Sequence, residues 1–491
     1  MARTKIKGYA PDMDPTEVGV LVNCANAVPS AKGMQGAPAP VTTPLAALAA
    51  ACVGAAIVRK LDDTTRFFAG TSTKLYEAAT TTWTDVSRGA STYTAIASGA
   101  RWSFAQYGNV SLAVQKSDLL QFSTSGAFAN VVSSPQAVPK ASIVETVGQF
   151  VFLFDTTEAT YGDSPDRWWC SASGNYADWN PSTTTECATG RLISSPGVIR
   201  GAKRFGEQIA VYKTRGMYLG TYQGSPSIWR FDEMPGEAGA ASNDAIVNIG
   251  TGAYPKHLFM GLDDFYSFDG SRPTPIGVGW VKKSVFSEIS YANIKLCATL
   301  HDPVNSRVYF YYPTESTLTK CVVYNYLTKQ WGRDDRSIEC AANYISSGIS
   351  YGDLGTYYAT YADLPQVPYG TSFLVAGATA PAIFNTSHQL QTLNGTSSTS
   401  SITTGDLGDE QNLTLVTRVR PLFLVKPTTS NVINYYRNNL GDTLTAGQTS
   451  SFADGKYDFI RSARWHRIKF NFAGDWEMGS FNVYANTEGE A

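Results

Sequence analysis

From Arg66 onward, short runs of aromatic and β-branched residues recur every 8 to 12 residues, separated by Gly, Asn, Asp and Ser turns. Runs of that length are too short to complete the apolar stripe of an amphipathic helix, so the chain reads as an all-β sandwich, barrel or propeller. No segment carries the pattern of a long amphipathic helix. Charged residues make up 16%, against roughly 25% in an average soluble domain. Ser, Thr, Asn, Gly and Tyr fill the deficit, leaving little with which to coat helix surfaces. Aromatics at 12% suit pleated, half-buried strands instead. With 491 residues, 43% of them hydrophobic, the chain can build either about three domains or one large repeat domain with additions.

Internal repetition favours the repeat domain. A Gly or Asn turn runs into an apolar strand at Gly108, Gly148, Gly206, Gly261 and Asn305, on average about 49 residues apart, the length of a propeller blade. A strand, a loop and a Trp recur at Trp83, Trp179 and Trp331, which are expected to hold equivalent places in different blades. Arg66 to Phe384 then accommodates six or seven units, each a small sheet that buries its faces by stacking around an axis. The fold expected is all-β: an irregular N-terminal arm over 1–60, a β-propeller of six or seven blades over 61–384, and a sandwich-like C-terminal platform over 385–491. The boundary is placed in the polar Ser/Thr stretch between Phe384 and Leu413, read as a linker or hairpin tip. The run from Leu45 to Val58 is uncharged but only 14 residues long, short of the roughly 20 that a membrane span needs. It reads as a buried helix or strand pair.

Lys plus Arg number 39 and Asp plus Glu 41, a net charge of −2, so no overall field draws the chain to polyanions or acidic membranes. Seven scattered cysteines without a C-x-x-C, and four histidines without paired spacing, suggest neither a disulfide framework nor a metal site, and no cofactor is expected. The N-terminus lacks the apolar stretch of a secretory signal, and its Arg3, Lys5 and Lys7 form a basic arm expected to be disordered. Glycosidase chemistry needs two carboxyls facing each other. The adjacent pairs Asp263/Asp264 and Asp334/Asp335 read as turn chemistry instead, because neighbours on a strand point to opposite faces. Basic side chains gather at Arg418 and Arg420 and at Arg461, Arg464 and Arg467, the last three beside Trp465. Contact with a neighbouring subunit's carboxylates or with DNA phosphates is one use for them; a solvated strand face is the other.

The segments 67–89, 101–124, 166–182, 261–277 and 302–335 together resemble the propeller-bearing hub or nozzle subunits of short-tailed bacteriophage tails. Their order and number carry the resemblance, which spans the chain from about residue 55 to the end. It implies a structural virion protein rather than an enzyme, made in the host cytoplasm and built into the tail. It further implies a homohexameric ring around the DNA exit channel, an adaptor ring below the portal, fibres or spikes at the side, and double-stranded DNA passing without sequence specificity. No membrane is involved. Weak phosphate neutralisation fits a conduit that must release DNA. The rival expectations are a propeller that binds or degrades glycans and a tail-tip adhesin.

Overall fold

The computed structural model describes residues 3–345, 360, 362 and 379–490. Five discrete four-stranded antiparallel sheets follow one another along the chain, over 55–85, 103–130, 140–191, 199–233 and 246–275. Each is a simple meander in which consecutive strands pair, and these are the propeller blades. Five stand alone, where the sequence predicts six or seven. The next two meanders, 298–333 and 338–395, are hydrogen-bonded into a 14-stranded sheet that also takes strands from both chain ends. The second of them is completed by the N-terminal strand Ala39–Thr42, paired with Leu390–Gly395. First strands touch in order, from Ala55–Arg59 through Ser103–Tyr107, Lys140–Val147, Ile199–Phe205, Ile246–Asn248 and Ala298–Asp302 to Ile338–Ile345, which returns to the first.

Radial stacking buries what a single sheet cannot. Phe152, Phe154 and Trp168 of blade three pack on Ile209, Val211 and Trp229 of blade four, and Phe205, Tyr212 and Leu219 of blade four pack on Phe259 and Phe268 of blade five. Tight turns hold the meanders in register. Gly108, Gly148 and Gly206 sit between the first and second strands of blades two, three and four, at φ of +58°, +55° and +64°. Glycine reaches that conformation without a Cβ clash. Gly261 departs from this set: it lies between the second and third strands of blade five, where a Cβ would come within 2.9 Å of the Gly239 carbonyl oxygen.

The three tryptophans likewise fail to share one position. Trp83 opens the last strand of blade one and is half-buried, its indole donating to the Ala46 carbonyl at 2.8 Å. Trp331 lies inside the strand Gln330–Arg333, fully buried. Trp179 is also fully buried, but in the long loop between the third and fourth strands of blade three.

Beyond the blades, two sheets pack face to face. Val416, Val419, Tyr457, Phe459, Met478 and Phe481 of the large sheet meet Ile402, Val432, Ile468, Phe470 and Phe472 of a seven-stranded sheet. This sandwich is not C-terminal alone. The strand Val20–Ala25 pairs with Thr399–Thr404, and Met34–Gly36 pairs with Glu477–Glu490. The expected irregular arm is therefore largely strands, and its basic start is ordered, with Thr4–Lys5 paired to Ser480 and Phe481. The polar stretch expected as a linker contributes Leu390–Gly395 to one sheet and Thr399–Thr404 to the other. From Leu45 to Gly54 the chain is neither helix nor strand; Leu45, Leu48 and Cys52 bury against Cys340, Phe384 and Leu390 before the strand Ala55–Arg59 begins. Among the described residues no helix is long and apolar enough to cross a membrane.

Candidate functional site

Where the first strands of blades two, three and four begin, a pocket of about 140 Å³ opens, lined among others by Arg101, Lys116, Ser142, Asp155, Arg200 and Asp244. Blade three shapes one wall. Its second strand, Phe150–Glu158, loses register between Phe154 and Thr156, and the residue between them, Asp155, sits at φ +54°. Such a conformation costs a non-glycine residue on the order of 1–3 kcal/mol, and a bulge of this kind redirects a side chain. The Asp155 carboxylate accepts the Ser142 hydroxyl and lies 2.5 Å from Lys116 Nζ. Lys116 also meets Asp163 at 2.8 Å. Burial opposes its charge, yet the two carboxylates outweigh that and hold the Lys116 ammonium above its ordinary value.

The opposite wall is built from arginines. Arg101, with 10% of its side chain exposed, donates from Nη2 to the carbonyls of Leu296 and Glu339, and its Nε lies 3.5 Å from Asp244. Its Nε and Nη1 make no hydrogen bond among the described residues, and neither does Nη1 of Arg200. Burial pulls the Arg200 guanidinium below its ordinary value, against a partial correction from Asp155. It still carries its charge, as guanidinium does throughout the accessible pH range. Lys295 stands exposed at the rim.

None of the basic residues singled out in the sequence is at this pocket; all lie in the sandwich. Arg418 pairs with Asp458 at 2.8 Å, and it and Arg420 flank the ring of Tyr484 at 6.0 and 5.8 Å. Arg461 stacks on Tyr436 at 3.5 Å. Arg467 and Arg437 grip the fully buried carboxylate of Asp406 at 2.8 and 2.6 Å. The Arg464 carbonyl accepts from the Asp409 amide at 3.2 Å. Asp264 closes its own turn, its Oδ1 accepting the amides of Phe265 and Gly277 at 2.7 and 3.1 Å. Asp334 is bound by Arg336 at 2.9 Å. The pocket residues come from seven separate segments with no shared motif, and the one local sign is an Asp closing the apolar run FVFLF. Among the described residues no group of three or more His, Cys, Asp or Glu could hold a metal ion.

No family model matches the chain, and no curated protein matches it. Among solved structures it is similar to YCF48 bound to D1 peptide, at 11% identity over 62% of this chain and 86% of that one, TM-score 0.34. It is similar also to the exo-beta-1,3-galactanase of Phanerochaete chrysosporium with galactose, at 10% identity over 92% of this chain and 100% of that one, TM-score 0.28. A third, a glycoside hydrolase, shares 11% identity over 78% of this chain and 97% of that one, TM-score 0.23. The expectation that the chain is not an enzyme is corrected here, because glycoside hydrolases stand among its structural neighbours. At these scores they transfer neither activity nor substrate, since function belongs to sites rather than folds.

Proposed function

We propose that the chain is a ring-forming structural subunit of the tail-nozzle type, built around a propeller and joined to further copies of itself through the outer face of the sandwich. One observation carries this reading. On that face Leu422, Leu424, Ile460 and Tyr484 are 42%, 46%, 76% and 36% exposed, interspersed with Arg418 and Arg420. The strand Tyr457–Ala463, which holds Ile460, is a terminal strand of the large sheet. Soluble chains blunt such edges and keep such apolar patches small unless another surface covers them. A second copy is the occupant that closed symmetry supplies. In the assembly so conceived, six copies surround a channel, an adaptor ring and fibres or spikes take the remaining faces, and duplex DNA passes without sequence-specific contact.

Sedimentation equilibrium on the full chain tests this, alone and with the adaptor ring supplied. A six-copy species is expected, and the pair Leu424→Lys and Ile460→Lys should abolish it without lowering the melting temperature. A dimer at every concentration, or rings unaffected by the pair, refutes the reading.

A second reading, a carbohydrate-active propeller, is favoured by the two carboxylates Asp155 and Asp244 at the pocket. A glycan array followed by hydrolysis of any bound glycan distinguishes it, since the ring reading requires no ligand there.

A further inference from the structure

We propose that the pocket at the start of blades two to four is a binding site for a small oxyanion of the phosphate class. Four cationic side chains line it, Arg101, Lys116, Arg200 and Lys295, against two carboxylates, Asp155 and Asp244, with a third, Asp163, just outside the lining against Lys116. Both carboxylates are already engaged, Asp155 by Lys116 and Ser142 and Asp244 by Arg101. With Nε of the nine-tenths buried Arg101 turned to Asp244, the hydrogen-bonding capacity left over is on the donor side: Nη1 of Arg101 and Nη1 of Arg200 bond to no acceptor among the described residues. Buried guanidinium N–H groups are costly to leave without acceptors, and a fork of such donors matches the oxygens of phosphate. A ligand that brings acceptors and negative charge relieves both costs together. A neutral sugar brings only hydroxyls and leaves the positive excess in place.

Volume sets the size of the ligand. About 140 Å³ is close to the cavity that encloses a benzene molecule, so the pocket takes one phosphate group and not a chain of sugars. The strained Asp155 has a part in this arrangement. With Asp163, its carboxylate holds the Lys116 ammonium at the blade-three wall of the pocket. The inference is independent of the ring reading, because it concerns the propeller and not the sandwich face.

Isothermal titration of the full chain with inorganic phosphate tests the proposal, with phenyl phosphate as a parallel arm and chloride at matched ionic strength as the control. Saturable binding of phosphate is expected, weakened tenfold or more in Arg200→Gln. Tighter binding of phenyl phosphate identifies a monoester as the source of the group, and equal or weaker binding identifies the free ion. Arg200 makes one long bond, to Thr214 at 3.5 Å, so its loss leaves the fold intact; an unchanged melting temperature without ligand verifies that. Lys295→Met, exposed at the rim, serves as a second variant and should weaken binding to a smaller degree. No saturable heat with either ligand, or an affinity unchanged in Arg200→Gln, overturns the proposal.

Discussion

Acid should weaken the propeller through one buried imidazole. His257 is fully buried between blades four and five, with Nδ1 accepting the Tyr212 hydroxyl at 2.7 Å and Nε2 donating to the Arg204 carbonyl at 3.0 Å. Those two bonds satisfy a neutral ring; a second ring proton, on Nδ1, would force the Tyr212 hydroxyl to turn its own proton away from the imidazole in order to accept. Burial, partly offset by the Arg204 carbonyl, pushes the imidazole down from 6.5 to about 4. Between those values the unfolded chain binds a proton that the folded chain refuses, so stability rises with pH across the window and is lost as pH falls through it. The full difference corresponds to about 3 kcal/mol, of which about 2 kcal/mol is lost between pH 7 and pH 5. Urea denaturation of the wild type and of His257→Gln at both pH values isolates the effect. The half-buried His301 and the buried His466, which are depressed too, contribute equally to both proteins and cancel. The wild type should lose about 2 kcal/mol more than the variant over this interval. Equal losses refute the reasoning, because His257 would then titrate alike folded and unfolded.

Trp331→Ala should cost about 3–5 kcal/mol as a full cavity mutation, whereas Trp83→Ala, half-exposed at its strand end, should cost less than half of that; thermal denaturation of both variants measures the contrast, and equal costs contradict the assigned burial. Asp406→Ala leaves Arg437 and Arg467 facing each other on the outer face of the seven-stranded sheet, without the buried carboxylate that joins them, and should cost about 3–5 kcal/mol. Arg418→Ala, at an exposed pair with Asp458, should change stability by less than about 1 kcal/mol and show the stronger salt dependence, measurable in the same denaturation series at low and high ionic strength.

Strand length and turn chemistry are local properties, which is why the all-β class and the meanders are readable from residues alone. Gly108, Gly148 and Gly206 mark hairpins because their positive φ is a requirement of the turn itself, whatever surrounds it. The same locality limits what a motif can say. Gly261 and Trp179 match the pattern as letters but occupy other turns, since spacing along the chain does not encode which strands a loop connects. Ser/Thr-rich strands such as Thr399–Thr404 look like linkers because Ile402 is their single apolar inward residue, between Ser400 and Thr404, and only the partner strands from both chain ends make them central. The number of discrete blades was decided in the same way: two meanders were drawn into the large sheet by pairing with Ala39–Thr42 and Ala27–Pro29, segments some three hundred residues away. The pocket was settled last and entirely by tertiary structure. Charges on Arg101, Lys116, Asp155, Arg200 and Asp244 become a site only when the first strands of neighbouring blades converge, because electrostatic and hydrogen-bonding energies depend on distance in space, and the order of residues in the chain does not set that distance.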